Sequence, residues 1–234
     1  MVKNKGLLAV LTALFLAIEI LLGVLLQICS GRTVALCSFG AVVLCCLFCI
    51  LLFERSADYA LIQMALACTV CADYFLVWSQ PRVQLPAMMF FLVVQLLYFA
   101  CLYLTDDCTR RKRWQILSRG VLSIVILAIT VAVLNKKTDA LALVSMLYYT
   151  HLLLNVVFAF ADFRKHTLLS IGLLLFLCCD TVIGLDMLNG YLPIAEDHLI
   201  YKLIHPGFDL AWACYLPSQV LIVLSLLLKS KPTE

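Results

Sequence analysis

Charge is what this chain has least of. Only 13% of its 234 residues are Asp, Glu, Lys or Arg, and 65% are hydrophobic, whereas a water-soluble domain carries about 25% charged residues. Such a surface could not be wetted, which excludes a soluble enzyme or binding module of this length. Glycine and proline are also scarce, at nine and six, and no glycine-rich phosphate loop can be read. Gly-x-Ser-x-Gly and His-Glu-x-x-His are missing too, so the sequence offers neither a serine nucleophile elbow nor that zinc-hydrolase pattern.

Long apolar runs are what remain. A helix that crosses the hydrocarbon needs about 20 mostly apolar residues, and eight such stretches can be read, at 7–28, 33–53, 58–79, 84–105, 114–134, 139–161, 167–188 and 206–228. The expected fold is an all-α polytopic helical bundle of about eight transmembrane helices, a single transmembrane domain over 1–234 within the lipid bilayer. The connections are too short for a soluble catalytic or nucleic-acid-binding domain. Lys3 and Lys5 before the first run suggest a signal peptide. However, that run is long for a signal core, contains Glu19 and lacks a small-x-small cleavage site, so it reads as a first span.

Basic residues in short loops set orientation. Lys3, Lys5, Arg55, Arg110, Arg111, Lys112, Arg113, Arg164, Lys165, Lys229 and Lys231 fall on one side. Arg32, Arg82, Lys136, Lys137 and Lys202 fall on the other. The bias predicts both termini in the cytoplasm. The Arg110–Arg113 cluster is read as a topology determinant or a contact for anionic lipid, with no nucleic acid as partner. Arg119, within a helix, is expected to snorkel to the interface.

Twelve cysteines are scattered mostly inside these runs, where a free thiol acts as a small apolar residue. Cys68-x-x-Cys71 has no second pair or histidine partner at ligand spacing, so no metal and no cofactor is expected.

Two lone aspartates, Asp73 and Asp180, are the costliest residues to place. A carboxylate in hydrocarbon must pair, reach water or take up a proton, so each is a candidate site residue. At 1.5 Å rise per residue, Asp73 lies about 22 Å and Asp180 about 20 Å from the cytoplasmic starts of their helices, which puts them at one level. Glu19, Gln95, His151, Asn155 and Gln219 lie within a few turns of that level. The neutral ones can equally be interhelical hydrogen-bonding groups. Asn189–His205, with Glu196, Asp197, His198, Lys202 and His205 among spaced apolar residues, suggests a short helix on the outer surface.

Four stretches carry a resemblance: Ala72-Asp73-Tyr74-Phe75-Leu76, Phe90 to Tyr98 with Gln95, Ile171-Gly172 to Cys179-Asp180, and Tyr215-Leu216-Pro217-Ser218-Gln219. In order and spacing, over about residues 58–228, the chain resembles the YhhN-like, lysoplasmalogenase family of eight-span membrane proteins. It departs at Gln95, where that family often has His, and at Cys179, where Ser or Gly commonly precedes the aspartate.

The resemblance implies hydrolysis of the vinyl ether bond of a membrane lysolipid of the lysoplasmalogen type, releasing a fatty aldehyde. In this reading Asp73 and Asp180 are catalytic, and Gln95, Tyr98, Tyr215 and Gln219 line the substrate pocket. It also suggests a bacterial cytoplasmic membrane. Vinyl ethers are cleaved by acid, which requires neither a serine nucleophile nor a metal, and two carboxyls can divide the work between proton donor and ionised partner. Two alternatives remain: a proton-coupled transporter that uses the same carboxylates, and a catalytically silent family member that binds lysolipid. The glutamine at 95, which cannot titrate, raises the second.

Overall fold

The computed structural model describes residues 5–52, 56–188, 198, 201–202 and 206–229. Among these there is no strand, and eight helices are long and apolar enough to cross a membrane. They are α1 (Lys5–Ile28), α2 (Arg32–Leu51), α3 (Ala57–Asp73), α4 (Gln84–Thr105), α5 (Thr109–Leu134), α6 (Ala140–Ala161), α7 (Phe163–Leu188) and α8 (Leu210–Lys229). Helix is the expected solution for a chain that must satisfy its backbone without water. The protein is thus a multi-pass integral membrane protein built as an all-α bundle.

Two helices start earlier than the hydropathy reading and one starts later; the early starts arise because charged turns at a membrane surface are helical without being apolar. α5 begins at Thr109 and carries Arg110–Arg113 in its first turns, and α7 begins at Phe163 with Arg164 and Lys165. α8 begins at Leu210, after bends at Pro206–Phe208. Segment 189–205, expected to form a surface helix, lies outside the described residues except for His198, Tyr201 and Lys202.

The core is formed by α3, α4, α6, α7 and α8, with α7 against α8, α3 against α4, and α4 and α7 against α6. α1 leans on α2 and α8, and α5 packs chiefly on α6. These two flanking helices show the least burial: of α1 only Phe15, Glu19 and Leu26 are buried. Leucine, isoleucine and valine side chains such as Val10, Ile20 and Ile124 are exposed, as expected of faces turned to lipid.

The loops after α4 and α6 lie at one end of the bundle, called here the basic end. Asp106 organises it. Its Oδ1 accepts from the Cys108 N–H at 2.8 Å, and its Oδ2 accepts from Gln115 Nε2 at 3.0 Å. Arg111 spans Asp106 and Asp162, and Lys165 donates to Asp107 at 2.8 Å, which holds that exposed carboxyl below the usual range. At the same end Tyr59 of α3 donates its hydroxyl to the Leu226 carbonyl of α8. Tyr59→Phe is expected to cost about 1 kcal/mol, as a buried acceptor loses its donor, and the thermal unfolding midpoint in detergent measures it.

Candidate functional site

Asp73 is the last residue of α3. Directly after it the chain widens into a π-helical turn, Tyr74–Trp78, closed by the Ser79 N–H bonding to the Tyr74 carbonyl at 2.8 Å. Such turns are frequent at functional sites. Asp73 is buried, and its Oδ2 accepts a hydrogen bond of 2.8 Å from the Tyr215 hydroxyl of α8.

Asp180 of α7 has a matching partner. The Tyr148 hydroxyl of α6 donates to Asp180 Oδ2, and one residue along in both helices Tyr149 and Thr181 share a hydrogen bond of 2.8 Å. Two adjacent bonds of this kind set the register of α6 on α7.

The two pairs are joined by rings. Tyr215 meets Phe176 at 5.4 Å between centroids, Phe176 meets Phe91 at 5.9 Å, and Phe91 meets Tyr148 at 5.7 Å. These are edge-on or tilted arrangements favoured by aromatic quadrupoles. Counted from the observed helix starts, Asp73 and Asp180 lie about 24 and 25 Å along α3 and α7, and α7 departs from helical geometry at His166. The two carboxyls are within electrostatic reach of each other. Oδ1 of each makes no hydrogen bond among the described residues. The result is a buried carboxyl, Asp73, and a half-buried one, Asp180, each steadied through one oxygen by a tyrosine and each with the other oxygen uncommitted.

The other expected site residues are placed differently from one another. Tyr215 is in the site. Gln219, one turn along α8 from Tyr215, is fully buried, and neither end of its amide has a partner. A buried polar group left so is a place for water or a ligand atom. Gln95 is turned towards α6, where its carbonyl and its Oε1 both accept from Asn155 Nδ2, at 2.8 and 3.0 Å. Tyr98 stands apart from the aspartates: its surroundings are Cys45, Cys49, Cys68 and Cys101, and its hydroxyl has no partner.

The sequence reading missed Tyr148. Its only signal is a tyrosine pair, Tyr148-Tyr149, deep in an apolar run, and a tyrosine there reads equally as core packing. Arg119 departs from expectation. It is 5% exposed, and its guanidinium lies over the Phe99 ring at 4.0 Å. It donates to the Gln115 carbonyl and to Asn155 Oδ1.

All twelve cysteines are free thiols. Among the described residues no three His, Cys, Asp or Glu side chains are grouped as a metal site requires. An apolar cleft of about 660 Å³ between α5 and α6 is lined by Leu127, Ala128, Val131, Ala132, Leu143, Val144 and Leu147.

Fold and site together define a multi-pass membrane protein with a pair of tyrosine-bound carboxyls in its interior. The YhhN family model matches residues 35–226, most of the chain, and the protein belongs to that family. No curated protein and no solved structure matches it.

Proposed function

We propose that this protein hydrolyses the vinyl ether bond of a lysoplasmalogen-type lysophospholipid. The observation that carries the reading is the matched pair of carboxyl–tyrosine units, Asp73–Tyr215 and Asp180–Tyr148, linked through edge-on and tilted contacts among four rings. Nothing about acid cleavage of an enol ether asks for more than a proton donor, a charge partner and water.

The steps balance as follows. A protonated carboxyl of the pair gives its proton to the second alkenyl carbon, and the π electrons form that C–H bond. The ether oxygen supplies a lone pair, giving an oxocarbenium ion that the ionised carboxylate stabilises at short range in a site without bulk water. Water adds to the first alkenyl carbon as a carboxylate removes its proton. The hemiacetal hydroxyl then gives its proton to a carboxylate and forms the aldehyde C=O as the bond to the glycerol oxygen breaks; that oxygen takes up a proton from a carboxyl, leaving a fatty aldehyde and the glycerophospho-head group with a free hydroxyl. Gln219, with both amide ends uncommitted, is suited to hold the water.

The test is aldehyde release by purified protein from an alkenyl lysolipid and from its saturated alkyl ether analogue. Aldehyde from the first alone is the expected result, and its absence between pH 5 and 8 would reject the hydrolase. Tyr148→Phe is expected to lower the rate roughly tenfold, the equivalent of one hydrogen bond to a charged group.

A second reading is a silent lysolipid binder. It is favoured by Gln95, whose amide oxygen accepts from Asn155 and whose side chain cannot titrate. We further propose that both termini face the cytoplasm, as the basic loops indicate, and that the bilayer is a bacterial cytoplasmic membrane.

A further inference from the structure

Arg119 is a buried cation with no ion pair among the described residues. It sits ten residues into α5, about 15 Å from the basic end, and no carboxylate among the described residues lies within bonding distance of it. Its two terminal nitrogens are engaged by oxygens of neutral groups, while Nε has no partner. An uncompensated charge in a membrane interior is costly, and such residues usually mark a ligand path.

Of the neighbouring unpartnered atoms, Gln115 Oε1 is an acceptor, while those on Gln95 and His151 belong to potential donors. Gln95 and Arg119 are joined through the Asn155 amide, and Gln95 Nε2, on that same fully buried side chain, has no acceptor. His151 lies four residues before Asn155 on α6, is 9% exposed, is within electrostatic reach of Arg119, and has an unpartnered Nδ1. As an N–H tautomer it supplies a third donor. A fixed positive charge with donors from three helices and no anionic side chain calls for an anionic ligand rich in acceptors.

We propose that Arg119, Gln95 and His151 form a phosphate-ester subsite that seats the head-group phosphate of the lysolipid, on the basic side of the aspartates. The placement rests on the hydrolase reading, and it also fits the silent binder. On α6, His151 is three residues and Asn155 seven residues from Tyr148, about 4.5 and 10 Å along the axis. In a lysoplasmalogen six covalent bonds separate the alkenyl carbon from phosphorus, a span of the same order. The lipid chain is then directed away from the basic end, where the apolar α5–α6 cleft begins at Leu147, one turn from His151. The guanidinium fork is suited to a phosphate in a way an ammonium is not.

The experiment is equilibrium binding to purified protein in detergent of three probes: a saturated 1-O-alkyl-glycero-3-phosphate, the matching 1-O-alkylglycerol, and glycerol 3-phosphate. None has a bond the hydrolase could cleave, so binding is read independently of catalysis. The wild type is expected to prefer the alkyl phosphate over the alkylglycerol, and Arg119→Gln to reduce that ratio about tenfold or more. Gln95→Leu, an uncharged change that keeps the arginine, is expected to reduce it severalfold and serves if the arginine variant does not fold. Equal binding of the two lipids by the wild type, or an unchanged ratio in both variants, would overturn the subsite. Saturation by glycerol 3-phosphate as tightly as by the alkyl phosphate would make the ligand a soluble phosphate ester and overturn the head-group assignment. Phosphate preference without aldehyde release leaves the subsite standing and removes the hydrolase. Aldehyde release with no phosphate preference does the reverse.

Discussion

Asp73→Asn and Asp180→Asn are each expected to lower aldehyde release by about a hundredfold to ten-thousandfold, the usual range for a lost acid–base group. Asparagine keeps the shape of the side chain and a carbonyl oxygen that can accept from Tyr215 or Tyr148. The hydrogen bonds that steady the site therefore survive the exchange. What is lost is the ability to carry a proton or a negative charge. A fall in rate with an unchanged thermal midpoint assigns the loss to chemistry. Removing an unpaired carboxyl from a membrane interior also removes a desolvation cost, so stability is expected to stay level or rise. Full activity in both variants would sink the acid–base assignment. A comparable loss in only one would identify that residue as the proton donor or the charge partner, and the other as replaceable.

The second large effect is expected at Gly172, where α7 packs tightly on α8. A Cβ built there would lie 2.9 Å from Ile222 Cγ1, 3.1 Å from the Ser218 carbonyl oxygen and 3.2 Å from the Ile222 nitrogen. Two of those three neighbours are backbone, which cannot turn aside as a side-chain tip can. Small residues at such crossings are how membrane helices approach without a hydrophobic driving force. Gly172→Ala is expected to cost about 1–3 kcal/mol, as overpacking of a tight interface does, and Gly172→Leu to prevent the pairing. α7 carries Asp180 and α8 carries Tyr215, so separating them pulls the two carboxyl units apart. The variant should lose activity together with its thermal midpoint, unlike the aspartate variants. Gly184, with nothing near its Cβ position, is the control in the same helix and should accept alanine.

Hydropathy alone made the eight helices and their approximate limits legible, because in lipid the backbone has one solution and its length is set by bilayer thickness. The cost of burying charge singled out Asp73 and Asp180, and counting residues along helices put them at one level. These are one-dimensional arguments, and they hold because a spanning helix converts sequence position directly into depth. Which faces meet was not legible in that way. Gln95 and Tyr98 lie three residues apart on α4, yet one meets Asn155 of α6 and the other a group of thiols from α2, α3 and α4. Helices that are apolar on nearly every side give no periodic signal to choose between them. Tyr148 as partner of Asp180, the ring chain through Phe91 and Phe176, the burial of Arg119 and the close approach at Gly172 were therefore decided by tertiary packing. The chain by itself determined that it must lie in a membrane as helices and carry carboxyls within them, Asp73 and Asp180 together with Glu19. Only the fold decided what those carboxyls face, since rotation about a helix axis is set by neighbours and not by hydropathy.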